Sequence, residues 1–177
     1  MKSDDGLASR DMKRDNCSIQ IRRAGADDAA SIASVLSESF AEYKTSYTAE
    51  GFAATTPSAD EIQNRVNEGP VWVASSGDVI IGTVSVVPQG EALYIRSMAI
   101  RPSARGQHIG ELMLEQIETF AFEHGYRRLI LSTTPFLTRA IRLYQRFGFR
   151  QSPEGPDELF GTPLFTMVKN LKPADRR

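Results

Sequence analysis

Between positions 97 and 110 the chain reads SMAIRPSARGQHIG and runs straight into ELMLEQIETFAFEHG. An apolar strand, a short basic turn and a long amphipathic helix in that order make a site for a phosphate-bearing ligand. The first N–H groups of a helix have no partner within it, and the helix dipole places about half a positive charge at that end. Gly106 and Gly110 leave room for backbone to approach a diphosphate, while Gln107, His108 and Ile109 add N–H donors. Arg101 and Arg105 bring full charges to the same turn. The simpler alternative is a strand-to-helix turn with solvated arginines.

The elements that must hold this turn can be read on either side of it. Residues 18–23 form a first strand with Ile19 and Ile21 on one face, and Asp27 and Asp28 open a helix. That helix repeats Ala29, Ile32, Ala33, Val35, Leu36 and Phe40 at helical spacing. Residues 42–57 lack a period and read as loop or broken helix; a short helix spans 58–68 and stops at Gly69. Strands follow at 71–75 and 79–87 around Ser76-Gly77, then at 92–100 after Pro88-Gln89-Gly90. The helix at 106–124 lines up Ile109, Leu112, Met113, Ile117, Phe120 and Ala121, and ends at Gly125. A strand at 128–133 leads to a helix that starts at Pro135 and runs to Gly148, with Phe136, Ala140, Ile141, Tyr144 and Phe147 in register. The acidic loop 152–163 precedes a last strand at 164–169. The expected class is α/β (α+β), a sheet with helices on its faces.

Bulk properties narrow the reading by exclusion. The 177 residues are 41% hydrophobic and 24% charged with a net charge of −1, as for an ordinary soluble domain. Such a balance speaks against a nucleic-acid partner, which needs a basic surface. One cysteine, Cys17, rules out an intrachain disulfide, and two histidines cannot make a multi-histidine metal site, so no metal is expected. No segment approaches the ~18 apolar residues of a membrane span, and no apolar signal core opens the chain; the expected location is cytoplasmic, with no membrane partner. Residues 1–16 mix charges of both signs and are expected to be a mobile tail; a single domain covers 17–171, and 172–177 form a C-terminal tail.

At this point two motifs carry a resemblance. Arg101-Pro102 followed by Arg105-Gly106-Gln107-His108-Ile109-Gly110 resembles the acetyl-CoA pyrophosphate loop of the GNAT superfamily of N-acyltransferases. Further on, the run from Ala140 through Tyr144 to Gly148-Phe149 resembles that family's second motif, A-x-x-x-Y-x-x-x-G-F. The similarity covers about 19–168 and is sharp over 98–149. Two departures stand out: His108 occupies the middle glycine of R-x-x-G-x-G, and Leu137 stands where the family often has asparagine.

The resemblance implies a mixed, mostly antiparallel sheet flanked by helices on both faces, and acetyl-CoA as cosubstrate. It places the pyrophosphate on Arg105, Gly106, Gln107, His108, Ile109 and Gly110. The pantetheine arm would lie along Met98, Ala99 and Ile100, on a strand that splays from its neighbour, with the N–H groups of Met98 and Ile100 facing it. Tyr144 would be the catalytic acid: a departing thiol has a pKa of about 8.5 against about 10 for a phenol. Without the motif, Tyr144 is an aromatic on the apolar face of a helix.

A base is harder to name. Some members use a glutamate on the strand where this chain has Tyr94; Glu91, Glu38, Glu42 and a water relay all remain open. Phe40, Tyr43, Tyr47 and Phe52, with Glu154, Asp157 and Glu158, are the expected surroundings of a cationic amine. The expected activity is acetyl transfer to a small-molecule primary amine by direct attack in a ternary complex. A non-catalytic acyl-CoA sensor and a protein acetyltransferase are the alternatives, and the resemblance leaves a homodimer open.

Overall fold

The computed structural model describes residues 18–172, so the tail expected at 1–16, Cys17 and residues 173–177 lie outside the described residues. Strand β1 (Ile19–Arg23) turns through Gly25, whose N–H donates to Asp28 at 2.8 Å. The Arg22 guanidinium grips both oxygens of the same carboxylate at 2.8 Å, which fixes the entry to α1 (Ala29–Phe40). A 3-10 helix (Ala41–Ser46) follows, then α2 (Ala49–Thr55) and α3 (Ala59–Val66). Ser58 and Glu61 cap α3 reciprocally: the serine hydroxyl accepts from the Glu61 N–H, and the carboxylate from the Ser58 N–H.

Strands β2 (Val71–Ser76), β3 (Val79–Gln89) and β4 (Ala92–Ile100) form an antiparallel meander that pairs with β1. The helix α4 (Ile109–Glu123) then crosses to β5 (Arg128–Thr133), which pairs parallel to β4. After α5 (Thr138–Arg146) come β6 (Arg150–Ser152), a small hairpin of β7 (Glu158–Leu159) and β8 (Thr162–Pro163), and β9 (Phe165–Asn170). The main sheet has seven strands in the order β1-β2-β3-β4-β5-β9-β6.

Period-two alternation divides the core between the two faces of this sheet. On β2, Val71 and Val73 meet Ile32, Val35 and Leu36 of α1 and Ile62 of α3. Trp72 and Ala74, pointing the other way, meet Ile109, Met113, Leu114, Ile117 and Ala121 of α4. Because both faces are covered, β2 and most of β3 are buried throughout rather than alternately. Among the described residues no helix is long and apolar enough to cross a membrane.

One expectation is resolved and two require correction. Of the alternatives for 42–57 the structure shows the broken helix: Thr48 caps α2 by accepting the Gly51 N–H at 3.0 Å, a local signal that does not depend on apolar period. The helix expected from Pro135 begins at Thr138. Thr134 to Leu137 instead close a turn (Leu137 N–H to the Thr134 carbonyl, 3.2 Å), with Pro135 at the second position that suits its fixed φ. The loop 152–163 contains the end of β6 and the β7–β8 hairpin, whose turn residues Phe160 and Gly161 both have positive φ.

Candidate active site

The sheet opens at its centre. Parallel pairing of β4 with β5 ends at Ile95 opposite Leu131, yet β5 continues along β9 to Thr133 opposite Phe165. On the other edge of β4 the register slips: Arg96 faces Ser85 and Ala99 faces Thr83, so Ser97 and Met98 together oppose Val84. Ser97 takes φ of 53°, which makes this a bulge of the kind that bends one strand away from its neighbour. Beyond it the Arg101 N–H donates to the Ile81 carbonyl on β3 at 2.8 Å. Successive amides in a strand point to opposite edges, so the N–H groups of Ile100 and Met98 face the gap left by β5.

The gap continues into a cleft of about 330 Å3 at the N-terminus of α4, lined by Met98, Ala99, Ile100, Arg105, Gly106, His108, Ile109 and Gly110. His108 caps the helix at φ 59° and ψ 22°, the left-handed conformation that the missing glycine would supply freely. Histidine is among the non-glycine residues that tolerate this region, so the turn survives the substitution. Gly106 is also left-handed, at φ 81°. At Gly110 a Cβ would lie 2.6 Å from Leu143 Cδ2, so its absence leaves room for the Leu143 side chain at the start of α4. No side chain caps α4, and the first helical amide to reach a backbone acceptor is Leu112, on the His108 carbonyl. The N–H groups of Ile109, Gly110 and Glu111 therefore face the cleft end as unused donors.

The basic residues are deployed differently from expectation. Arg101 pairs with Glu38 and donates through Nε to the Ile80 carbonyl; it is absent from the cleft lining. Arg105 lines the cleft but is tied to Glu42 and the Ser39 carbonyl. Gln107 is exposed and outside the lining. Two arginines of α5 enter it instead: Arg146, held by Glu111 at 3.2 Å, and Arg139, which makes no ion pair among the described residues. Arg139 adjoins Ala140 of the second motif, and that adjacency was the signal available for it.

Tyr144 projects from α5 to the floor of the cleft. It is 7% exposed, and among the described residues its hydroxyl finds only the Met98 thioether, 3.9 Å away. Burial pushes the phenol well above its ordinary range, with the nearby Tyr47 and Tyr94 adding to the shift.

A second pocket, of about 230 Å3, meets the first at Phe40, Met98, Leu137 and Tyr144. Its walls come from α1, α3, the bulged part of β4, the end of β5 and the β7–β8 hairpin. Tyr47, Tyr94, Thr133 and Thr134 line it, as do Leu159 and Leu164 around the hairpin. Thr162 anchors that hairpin by accepting the Thr48 N–H at 3.0 Å.

No carboxylate among the described residues lines this second pocket. Glu38 and Glu42 are engaged by Arg101 and Arg105, Glu91 pairs with Arg127, and Glu154, Asp157 and Glu158 are exposed outside both linings. Of the expected aromatic group, Phe40 and Tyr47 line it, Tyr43 lines the first cleft, and Phe52 packs behind Tyr47 at 6.1 Å. Its charged lining residues are cationic: Arg65 of α3 and Arg96 of β4. Arg96 interrupts an otherwise apolar strand, a signal that sequence reading passed over; Arg65 gives none, lying in an ordinary polar helix.

A splayed mixed sheet with a donor-rich helix end at the opening defines an acyl-CoA-type cleft joined to a second pocket. The chain belongs to the GNAT family of acetyltransferases, whose family model, described as Acetyltransferase (GNAT) family, matches residues 32–149. Among curated relatives, the mouse (Mus musculus) probable N-acetyltransferase family 8 member 5 is 29% identical over 104 residues, 55% of this chain and 46% of that protein. The uncharacterized N-acetyltransferase YjgM of Escherichia coli is 28% identical over 136 residues, covering 73% of this chain and 80% of that one. The chain thus spans less than half the length of the mammalian relative. In fold it is similar to the PaiA N-acetyltransferase of Thermoplasma acidophilum, solved with coenzyme A. The TM-score is 0.76 at 18% identity, over 87% of this chain and 99% of that one.

Proposed function

We propose that the chain transfers an acetyl group from acetyl-CoA to a small-molecule primary amine, by direct attack in a ternary complex with Tyr144 as general acid. The observation that carries this reading is the seam between the two pockets, where Tyr144 and Met98 belong to both linings. A thioester carbon at that seam can be approached from the acceptor side while the cofactor occupies the other. The free amides of Ile109, Gly110 and Glu111, with Gly106 and His108 in the turn before them, bind the pyrophosphate, and Arg105 and Arg139 supply positive charge beside it. Along β4 the N–H groups of Met98 and Ile100 flank Ala99; they pair with the pantetheine arm and polarise the thioester carbonyl. Bound acetyl-CoA supplies the activated acyl group and a thiolate as leaving group.

The Tyr144 phenol stays protonated because it is buried, and gives its proton to the thiolate sulfur as the carbon–sulfur bond breaks. Burial raises the phenol, so its proton moves only as charge develops on the departing sulfur, and an unsolvated thiolate is disfavoured by the same desolvation. An amine with a pKa of about 10.4 loses about 4.6 kcal/mol in reaching its neutral form at pH 7. With no carboxylate in the acceptor pocket, a water relay removes that proton. The pocket lies below the ~300–1,000 Å3 of drug-sized ligand sites, which suits a compact acceptor better than a protein segment.

Incubation with acetyl-labelled CoA and cell extract tests the reading directly. Label is expected in the small-molecule fraction. Label on protein would reassign the acceptor, and acetyl-CoA binding with no transfer would leave a sensor.

A further inference from the structure

We propose that the amine acceptor carries a compact oxyanion, a carboxylate or phosphonate-like group, and that Arg65 and Arg96 hold it in the acceptor pocket. The inference rests on the acetyl-transfer reading and deepens it by naming the acceptor class. Both guanidiniums line the pocket, from α3 and from the bulged part of β4. Arg65 is partly buried and makes one side-chain hydrogen bond, donating to Ser97 Oγ at 2.9 Å; among the described residues it has no ion pair. Arg96 pairs with the half-exposed Glu68 through one terminal nitrogen, while its Nε is buried with no acceptor.

Glu68, the partner of Arg96, lies outside the pocket, and among the described residues no carboxylate lines the pocket beside the two cations. Burial first and then the charge of Arg96 press the Arg65 pKa downward, against the smaller opposing pull of Glu61 and Glu68, neither of which lines the pocket. A buried unpaired charge is costly to a fold, and planar guanidiniums bind oxyanions in a forked geometry. An anion on the acceptor removes the cost and supplies the missing acceptor for Arg96 Nε. With its anionic end at the arginines, an amino acid-sized molecule directs its amine toward the seam at Tyr144. The pocket that was expected to attract a cation through carboxylates is instead built for a zwitterion.

The test uses matched probes: the common amino acids, their carboxamides, and aminoalkyl phosphonates, assayed for thiol release from acetyl-CoA. Their binding to the CoA complex is measured in parallel by calorimetry. The acids are expected to exceed their amides in kcat/KM by roughly 10- to 100-fold. Arg65→Met and Arg96→Gln should each collapse that ratio at least tenfold, through KM rather than kcat. Thermal melting checks each variant, and Arg65→Lys, which keeps the charge, should restore part of the ratio. Preference for phosphonates over carboxylates would name the anion. Turnover of amides equal to that of acids would overturn the proposal while leaving acetyl transfer intact. Acids that bind through Arg65 without being acetylated would uphold the anion site and overturn the transferase reading. If no acid or phosphonate is bound or acetylated, the anion site is refuted.

Discussion

Removing one oxygen from Tyr144 is expected to separate catalysis from stability. The ring packs on Phe149 at 5.8 Å between centroids, and phenylalanine keeps that contact. The hydroxyl is buried and touches only a thioether at 3.9 Å, a weak acceptor. A buried hydroxyl without a good partner costs about 1–3 kcal/mol in desolvation. Tyr144→Phe should therefore leave the fold unchanged or raise its stability by up to ~1 kcal/mol, about 2–4 °C in Tm for a chain of this size. Loss of a general acid lowers turnover by about 10²- to 10⁴-fold, or roughly 2.7–5.5 kcal/mol of barrier. The assay is thiol release at saturating acceptor, with the affinity for CoA measured separately and expected to hold. A kcat within threefold of the parent would refute the acid assignment; kcat and Tm falling together would make Tyr144 a structural residue.

The pH dependence has a definite sign. Burial raises the Tyr144 phenol, so the acid arm persists and activity should climb toward alkaline pH as the amine deprotonates. For stability, a raised folded pKa contributes fully below the unfolded value of about 10 and is lost as pH rises beyond it. Alkaline unfolding above that point should soften in Tyr144→Phe.

Other perturbations follow from single contacts. His108→Gly removes a left-handed penalty of about 1–2 kcal/mol against an entropic loss of about 0.5–1 kcal/mol, so Tm should hold or rise slightly. His108→Val, β-branched at positive φ, should lower both Tm and acetyl-CoA affinity. Thr162→Val leaves the partly buried Thr48 N–H without its acceptor, at about 1 kcal/mol; steady-state kinetics should show a raised KM for acceptor and an unchanged KM for acetyl-CoA. Asp28→Asn breaks a bidentate pair with the half-exposed Arg22, costing about 1 kcal/mol after solvent screening. Because Arg22, then the Gly25 N–H, hold the Asp28 carboxyl low, the loss should be complete above pH ~4 and vanish as pH falls through the folded pKa. Acid titration of both proteins by circular dichroism measures it.

What could be read in advance depended on how local the determinants were. Strands β2 to β5 and helices α1, α3 and α4 follow from apolar period with caps or turns at their ends, so they were legible to within a few residues. Pro135 misled because proline suits both the first turn of a helix and the second position of a β-turn. The β7–β8 hairpin has strands of two residues, too short for any alternation. The cleft was legible through Gly106, Gly110 and the α4 start. Its charges were not, because whether Arg101 points at a ligand or at Glu38 depends on where α1 packs, a long-range matter. The second pocket was the least legible part, since α1, α3, β4, β5 and a hairpin reach it from distant stretches of chain.

The two non-glycine residues at positive φ beside the clefts, Ser97 and His108, sit where the geometry of transfer is decided. Ser97 makes the bulge that turns the Met98 and Ile100 amides into the gap, and His108 turns the chain into the α4 N-terminus. Such conformations persist only where the surroundings over-determine them. For Ser97 the surroundings include Arg65, whose guanidinium donates to its hydroxyl. A residue lining the second pocket thus also steadies the strand distortion beside the first cleft. On the proposed reading, an acceptor anion drawn onto Arg65 would act on the bulge through one hydrogen bond, tying occupancy of the second pocket to the Met98 and Ile100 amides proposed to polarise the thioester in the first.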